Sequence, residues 1–276
     1  MLATRIATAA VVVPIAVLGM LFLPTGAIAL VFSALMLLGA WEWGGLVRLE
    51  TTGRGVFVAV VAAVMGLVLL LRNAPLPVSA ELFVIGLACL WWLAAIAWIV
   101  RYPQGWSSVL GRLGPGAAVG VVALVAPVAA VTYLHQSDQG ALLLLAFFFL
   151  VWAADTGAYI AGRTMGRHKL VPAVSPGKTR EGAIGGIVAA MVFAGAGAWA
   201  LGYGEGRLVG FVVLGAWVAV ISIVGDLTIS MFKRYAGIKD SGTLFPGHGG
   251  VLDRLDSVLA AAPWFVAGLH WLPSAI

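Results

Sequence analysis

Apolar residues along this chain come in long runs broken by short charged stretches, not in the alternation of a half-buried strand. A membrane-crossing helix needs about 20 mostly apolar residues. Nine runs meet that pattern: 6–23, 26–47, 55–72, 81–100, 115–134, 141–161, 182–202, 207–228 and 257–273. The fifth and seventh are rich in Gly and Ala, which lets helices approach closely. The last is short and contains Pro263 and His270. The first, with Arg5 ahead of it, has the look of a signal peptide. It is too long for one, lacks a small-residue cleavage site, and another span follows at once. The pattern predicts an all-α polytopic membrane protein with about nine transmembrane helices. Spans 1–5 form an N-terminal region, 1–140. A C-terminal region, 141–276, carries two charged loops, 162–181 and 229–256. No internal repeat, low-complexity tract or soluble domain interrupts this order.

Composition agrees. Hydrophobic residues make up 62% of the 276 and charged residues 10%, against roughly 25% charged in a soluble domain. The mean hydropathy is +1.06. Cys89 is the single cysteine, which excludes disulfides. The pI near 9.7 does not point to nucleic acid, because the positive charges sit in short loops between apolar runs. That placement fits membrane orientation and phosphate binding. With nine spans, Arg72 and Arg207 fall on one side, and the other fourteen of the sixteen Lys and Arg fall with the N-terminus. The positive-inside rule makes that side cytoplasmic. Loops 162–181 and 229–256 then share the cytoplasmic face.

Residues 225–257 hold four of the eleven acidic residues (Asp226, Asp240, Asp253, Asp256) and four basic ones (Lys233, Arg234, Lys239, Arg254). Such charge beside a span is costly unless paired, hydrated or bound. Asp253 and Asp256, three apart, share a helix face. With Asp226 they could hold Mg²⁺ through one or two carboxylates, water and substrate phosphate, or pair with the basic residues as a structural network. His248 stands among Gly247, Gly249 and Gly250. Successive free N–H groups there could cradle an anion, and the histidine could bind phosphate, transfer a proton or cap the loop.

In loop 162–181, Ser175-Pro-Gly-Lys178-Thr179-Arg180-Glu-Gly invites a P-loop reading. That motif needs glycine where Pro172 stands and a preceding strand, and no strand is expected here. A phosphate-binding loop opening the seventh span remains, against a loop that only fixes topology. Asp155, with Thr156 and Tyr159, lies late in the sixth span. It is either functional or paired with Arg163 or Lys169. Glu42, between Trp41 and Trp43, is given a structural role, so Glu42→Gln is expected to change stability more than rate. Asp240 is expected to pair with a neighbouring Lys or Arg.

The segment from Ser230 to Asp256 resembles the signature of the phosphatidate cytidylyltransferase (CDP-diacylglycerol synthase) family at every defined position, through Phe232-Lys233-Arg234, Lys239-Asp240, Gly242, Leu244-Phe245-Pro246, His248-Gly249-Gly250-Val251 and Asp253-Arg254-Leu255. The Asp155 region, Ser175–Gly182 and Trp41-Glu42-Trp43 look similar too. The resemblance implies transfer of CMP from CTP to phosphatidate, with pyrophosphate released. It implies Mg²⁺ at Asp226 and Asp253 and allows K⁺ as a companion. It also implies an inner-membrane location and suggests a homodimer. Lys233, Arg234, Lys239 and Arg254 would neutralise phosphates, Lys178 and Arg180 would meet one from the facing loop, and the glycine loop would add donors. A CTP-using lipid kinase shares these needs, but the signature argues against it. A transporter tends to show two related halves, and none are visible.

Overall fold

The computed structural model describes residues 13–103, 113–242 and 249–272. The apolar runs fold as helices because a chain in lipid must satisfy its backbone groups within each segment. The helices are Val13–Phe22 (α1), Thr25–Leu46 (α2), Thr51–Leu71 (α3), Ala80–Arg101 (α4), Leu113–His135 (α5), Gly140–Met165 (α6), Arg180–Ala200 (α7), Glu205–Ala236 (α8) and Leu252–Leu269 (α9). Seven of them, α2 to α8, are long and apolar enough to cross a membrane. The described part of α1 is short, and α9 opens on Asp253, Arg254 and Asp256.

Helix α5 is the centre of the bundle. Residues 123–126 and 128–132 on it are almost fully buried, and α2, α3, α4, α6 and α9 pack around it. Large apolar side chains such as Phe22, Leu70, Phe83 and Val192 point outward, as lipid-facing residues do. Helices α6 and α7 meet through small residues: a Cβ at Gly157 would lie 2.5 Å from Ala189 Cβ, and one at Gly185 2.2 Å from Ala161 Cβ. Such faces allow the close backbone approach on which helix pairs in lipid rely.

Three boundaries differ from the hydropathy reading, and all three bear on the charged stretches. Helix α8 runs 32 residues, about 48 Å at 1.5 Å per residue, well beyond a hydrocarbon core of about 30 Å. Lys233 and Arg234 therefore ride on the same helix as Asp226 and not in a loop beginning at 229. The helix stops at Gly237, whose φ of 76° is left-handed and whose N–H caps Arg234 and Lys233 carbonyls. Helix α9 begins at Leu252, so Asp253 and Asp256 lie in its first turns. The third difference overturns the expectation of no strand. Lys169–Val171 (β1) and Ser175–Thr179 (β2) form a small antiparallel hairpin. A polar strand of five residues carries too little hydrophobic pattern to be read from sequence. The P-loop is still excluded, because Gly177-Lys178-Thr179 lies within the paired strand itself.

One end of the bundle gathers the C-termini of α2, α6 and α8, the N-termini of α7 and α9, and the hairpin. Arg48, just past α2, ties this end together by donating Nη2–H to the Tyr235 carbonyl at 2.6 Å. At the opposite end, the Thr132 hydroxyl donates to Glu81 at 2.8 Å, and Tyr133 meets His270 at 3.0 Å.

Candidate active site

Gly225 precedes Asp226 on α8 and decides how close α9 can come. A Cβ at position 225 would lie 2.3 Å from the Asp256 carbonyl oxygen. Its absence lets α8 and α9 touch there, which brings Asp226 beside Asp256. Asp155, from α6, lies within electrostatic reach of both. Three carboxylates from three helices thus stand on one wall of a cavity of about 740 Å³.

The hairpin supplies the facing cation. Lys178 on β2 forms an ion pair with Asp226. Its neighbour Thr179 caps α7 by accepting the Gly182 N–H at 3.1 Å, so strand and helix join without slack at the lysine. Glu181, in the first turn of α7, accepts the N–H groups of Arg167 and His168 at 3.1 and 3.2 Å. Arg234 reaches from α8 to donate to the Val174 carbonyl at 3.2 Å. The hairpin is therefore held at its entry, its turn and its exit.

Asp253 is engaged differently. Its Oδ1 accepts from Lys233 Nζ at 2.6 Å, and its Oδ2 accepts the N–H groups of Ser241 and Gly250 at 2.8 and 3.0 Å. The Ser241 hydroxyl lies 3.0 Å from the same oxygen. Burial pushes this carboxyl up, but the Lys233 ammonium and the two backbone donors outweigh burial and hold it below the usual carboxylate range.

Of the residues singled out in the sequence, Asp155, Lys178, Thr179, Asp226, Asp253, Arg254 and Asp256 line the cavity. Lys233 and Arg234 stand behind the wall and hold Asp253 and the hairpin. Ser175 lies at the start of β2, and Arg180 and Lys239 are exposed. His248 lies outside the described residues. Asp155 joins the cavity acids and does not pair with Arg163 or Lys169. The expected partner of Asp240 is also missing: it is exposed and forms no ion pair among the described residues. Of the glycine loop, residues 245–248 lie outside the described residues; the N–H groups of Gly250, Val251 and Leu252 donate to Asp253 and Glu42.

Two further polar lining residues, Arg163 and Ser257, were not foreseen as site residues, and Tyr159 was noted only beside Asp155. Arg163 donates to the Tyr159 hydroxyl at 2.7 Å, one helical turn away, and both are exposed. An i, i+4 Tyr–Arg pair at the end of an apolar run is the signal that could have found them.

Among the described residues, no group of three or more His, Cys, Asp or Glu side chains is placed to hold a metal ion by itself. Mg²⁺ does not need such a group, since one or two carboxylates with water and phosphate suffice. The cavity carboxylates already hold an ammonium.

The model of the cytidylyltransferase family matches residues 3–272. The chain is 42% identical to the phosphatidate cytidylyltransferase of Pseudomonas aeruginosa over 275 residues, covering 98% of this chain and 97% of the relative. It is 40% identical to that of Haemophilus influenzae over 283 residues, covering 96% and 97%. A Synechocystis relative of the same name matches at 46% over 124 residues, 45% of this chain and 42% of the relative. With the family pattern running through both the N-terminal helices and the charged cavity, the chain belongs to the cytidylyltransferase family.

Proposed function

We propose that this chain transfers CMP from CTP to phosphatidate, forming CDP-diacylglycerol and pyrophosphate in phospholipid synthesis. The observation that carries the reading is the cavity where Asp155, Asp226, Asp253 and Asp256 meet Lys178 and Arg254. Its volume suits a small-molecule site, and its charged groups suit a triphosphate with a cation. Near-full-length identity to enzymes of that name supports the substrate pair.

The nucleophile is the phosphatidate phosphate, largely ionised at neutral pH because the second pKa of a phosphomonoester is about 6. No strong protein base is needed. The chain's work is to position two anionic groups and to neutralise them. Lys178 is paired with Asp226 from the hairpin side of the cavity, and Arg254 lines it from α9. Lys233 and Arg234 fix the acids and the hairpin around it. Asp226 and Asp253, with Asp256 adjoining, would hold Mg²⁺, and K⁺ could accompany it. Bound Mg²⁺ supplies charge neutralisation and orientation at the triphosphate. Arg163 and Tyr159, exposed at the cavity's edge, suit the headgroup of a lipid entering sideways.

The chain sits in the plasma or inner membrane with nine spans, its N-terminus and the cavity end cytoplasmic. The N-terminal helices serve as scaffold for the C-terminal catalytic region, and a homodimer is compatible with this arrangement. The charge count supports that orientation, because fourteen of sixteen Lys and Arg then fall on the cavity side.

The test is incorporation of labelled CTP into chloroform-soluble lipid by purified protein, with and without Mg²⁺. Label in lipid with stoichiometric pyrophosphate is expected. Release of CDP would instead mark a lipid kinase, and no incorporation under any condition would overturn the reading.

A further inference from the structure

Glu42 lies on α2, 209 residues before Val251, yet it grips the segment that carries the cavity acids. Its Oε1 accepts the Val251 N–H at 2.9 Å, and its Oε2 accepts the Leu252 N–H at 2.9 Å and the Ser241 hydroxyl at 2.8 Å. Those two amides open α9, directly before Asp253. Ser241 touches both acids, since its hydroxyl also lies 3.0 Å from Asp253 Oδ2. The loop is built around the carboxylate: a Cβ at Gly242 or at Gly250 would lie 2.4 Å from a Glu42 oxygen. Glu42 is only 8% exposed, and a buried carboxylate without donors would be costly. Here the three donors all come from the loop and helix start that place Asp253.

Against the structural role that its sequence context suggested, with an effect on stability more than rate, we propose that Glu42 is a positioning residue for CMP transfer. It holds Ser241 and the first turn of α9, and through them sets Asp253, Arg254 and Asp256 against Asp226. Neighbouring structure supports a locating role. Trp43 donates Nε1–H to the Gly116 carbonyl at 3.0 Å and packs on Phe232 of α8 with ring centroids 4.8 Å apart. The segment of α2 that carries Glu42 is thereby fixed to both α5 and α8. The carboxylate matters because both oxygens accept. Glutamine offers one acceptor, and its NH₂ would face an N–H. Aspartate keeps two acceptors one methylene short.

The inference rests on the CMP-transfer reading, so the experiment separates the two. Wild type, Glu42→Gln, Glu42→Asp and Ser241→Ala are purified in detergent and assayed with both substrates varied. Hydrogen exchange is followed at the amides of 241 and 250–252. Glu42→Gln is expected to lose about tenfold or more in kcat with both KM values nearly unchanged, the pattern of an interaction that matters in the transition state. Glu42→Asp recovers part of the loss. The amides of 241 and 250–252 exchange faster in Glu42→Gln, while those of the middle of α8 do not. Wild-type kcat in folded Glu42→Gln, a rate loss that only tracks the folded fraction, or unchanged exchange at 241 and 250–252 would overturn the proposal. If Glu42→Gln does not fold, Ser241→Ala carries the test, because it leaves the two backbone bonds of Glu42 in place. Its kcat must fall at unchanged KM, or the proposal fails. If wild type itself transfers no CMP, the proposed function fails, and the exchange measurement alone decides whether Glu42 orders the loop.

Discussion

At the scale of single residues, the cavity acids differ in what their loss should do. Asp226 is partly exposed and pairs with the equally reachable Lys178, with side-chain exposures of 30% and 26%. Asp226→Asn is therefore expected to fold normally and to lose about a hundredfold or more in turnover, the scale of removing one electrostatic contributor in a preorganised site. A folded variant with wild-type CMP transfer would remove Asp226 from the site. Asp253 has a side chain only 7% exposed and is held by three donors. Asp253→Asn should lose both activity and thermal stability, since the amide cannot replace a carboxylate toward Lys233. The pH dependence of that stability has a definite sign. A carboxyl held below its ordinary value stabilises the fold above the unfolded pKa, about 3.9, and the contribution fades as pH falls through the folded value. The midpoint gap between wild type and Asp253→Asn, measured in detergent, should thus be constant near neutrality and narrow below about pH 4. A gap that widens on acidification would contradict the role given to Lys233 and the two amides.

At the scale of elements, the site depends on the crossing of α8 and α9 at Gly225. Gly225→Ala would set a methyl 2.3 Å from the Asp256 carbonyl and 2.9 Å from Ala260 Cβ. Backbone cannot yield as a flexible side chain can, so the helices must part. Overpacking of this kind costs about 1–3 kcal/mol, and the displacement should also lower turnover by moving Asp226 from Asp256. Wild-type thermal midpoint and rate in Gly225→Ala would show that the close crossing is not needed. The sequence disclosed only part of this level. The apolar runs were legible because each is a single long signal. The true ends of α8 and α9 were not, because Asp226, Lys233, Arg234, Asp253 and Asp256 break the hydropathy signal while leaving the helix intact. Ser230 on Asp226, at 3.2 Å and four residues on, keeps helical spacing through that stretch. The hairpin was hidden for the opposite reason: its strands are short and polar, and position and side-chain anchors define them. Glu42 was readable as unusual but not as a partner of Val251, since nothing local encodes a contact 209 residues away.

For the whole molecule, the decisive arrangement is that charge and chemistry occupy one end of an otherwise apolar bundle. Helix alternation forces this. Each loop on the cavity side returns the chain to the same end, so Arg48 can reach Tyr235 and Glu42 can reach α9 although the sequence keeps them far apart. The same alternation makes orientation testable from two loops. Arg167 leads into the hairpin at the cavity end, and Asp138 lies between α5 and α6 at the other; both are exposed. Cys89 is buried and can be replaced by alanine to give a thiol-free background. With single cysteines placed at 167 or 138, a membrane-impermeant maleimide applied to cells with a permeabilised outer membrane should label position 138 and spare 167. After the inner membrane is disrupted, both should label. The energetic reason is the excess of Lys and Arg in the cavity-side loops, which sets orientation during insertion. Labelling of 167 with protection of 138 before the inner membrane is disrupted would invert the topology. It would also place the cavity away from cytoplasmic nucleotide, an outcome that the proposed reaction could not survive.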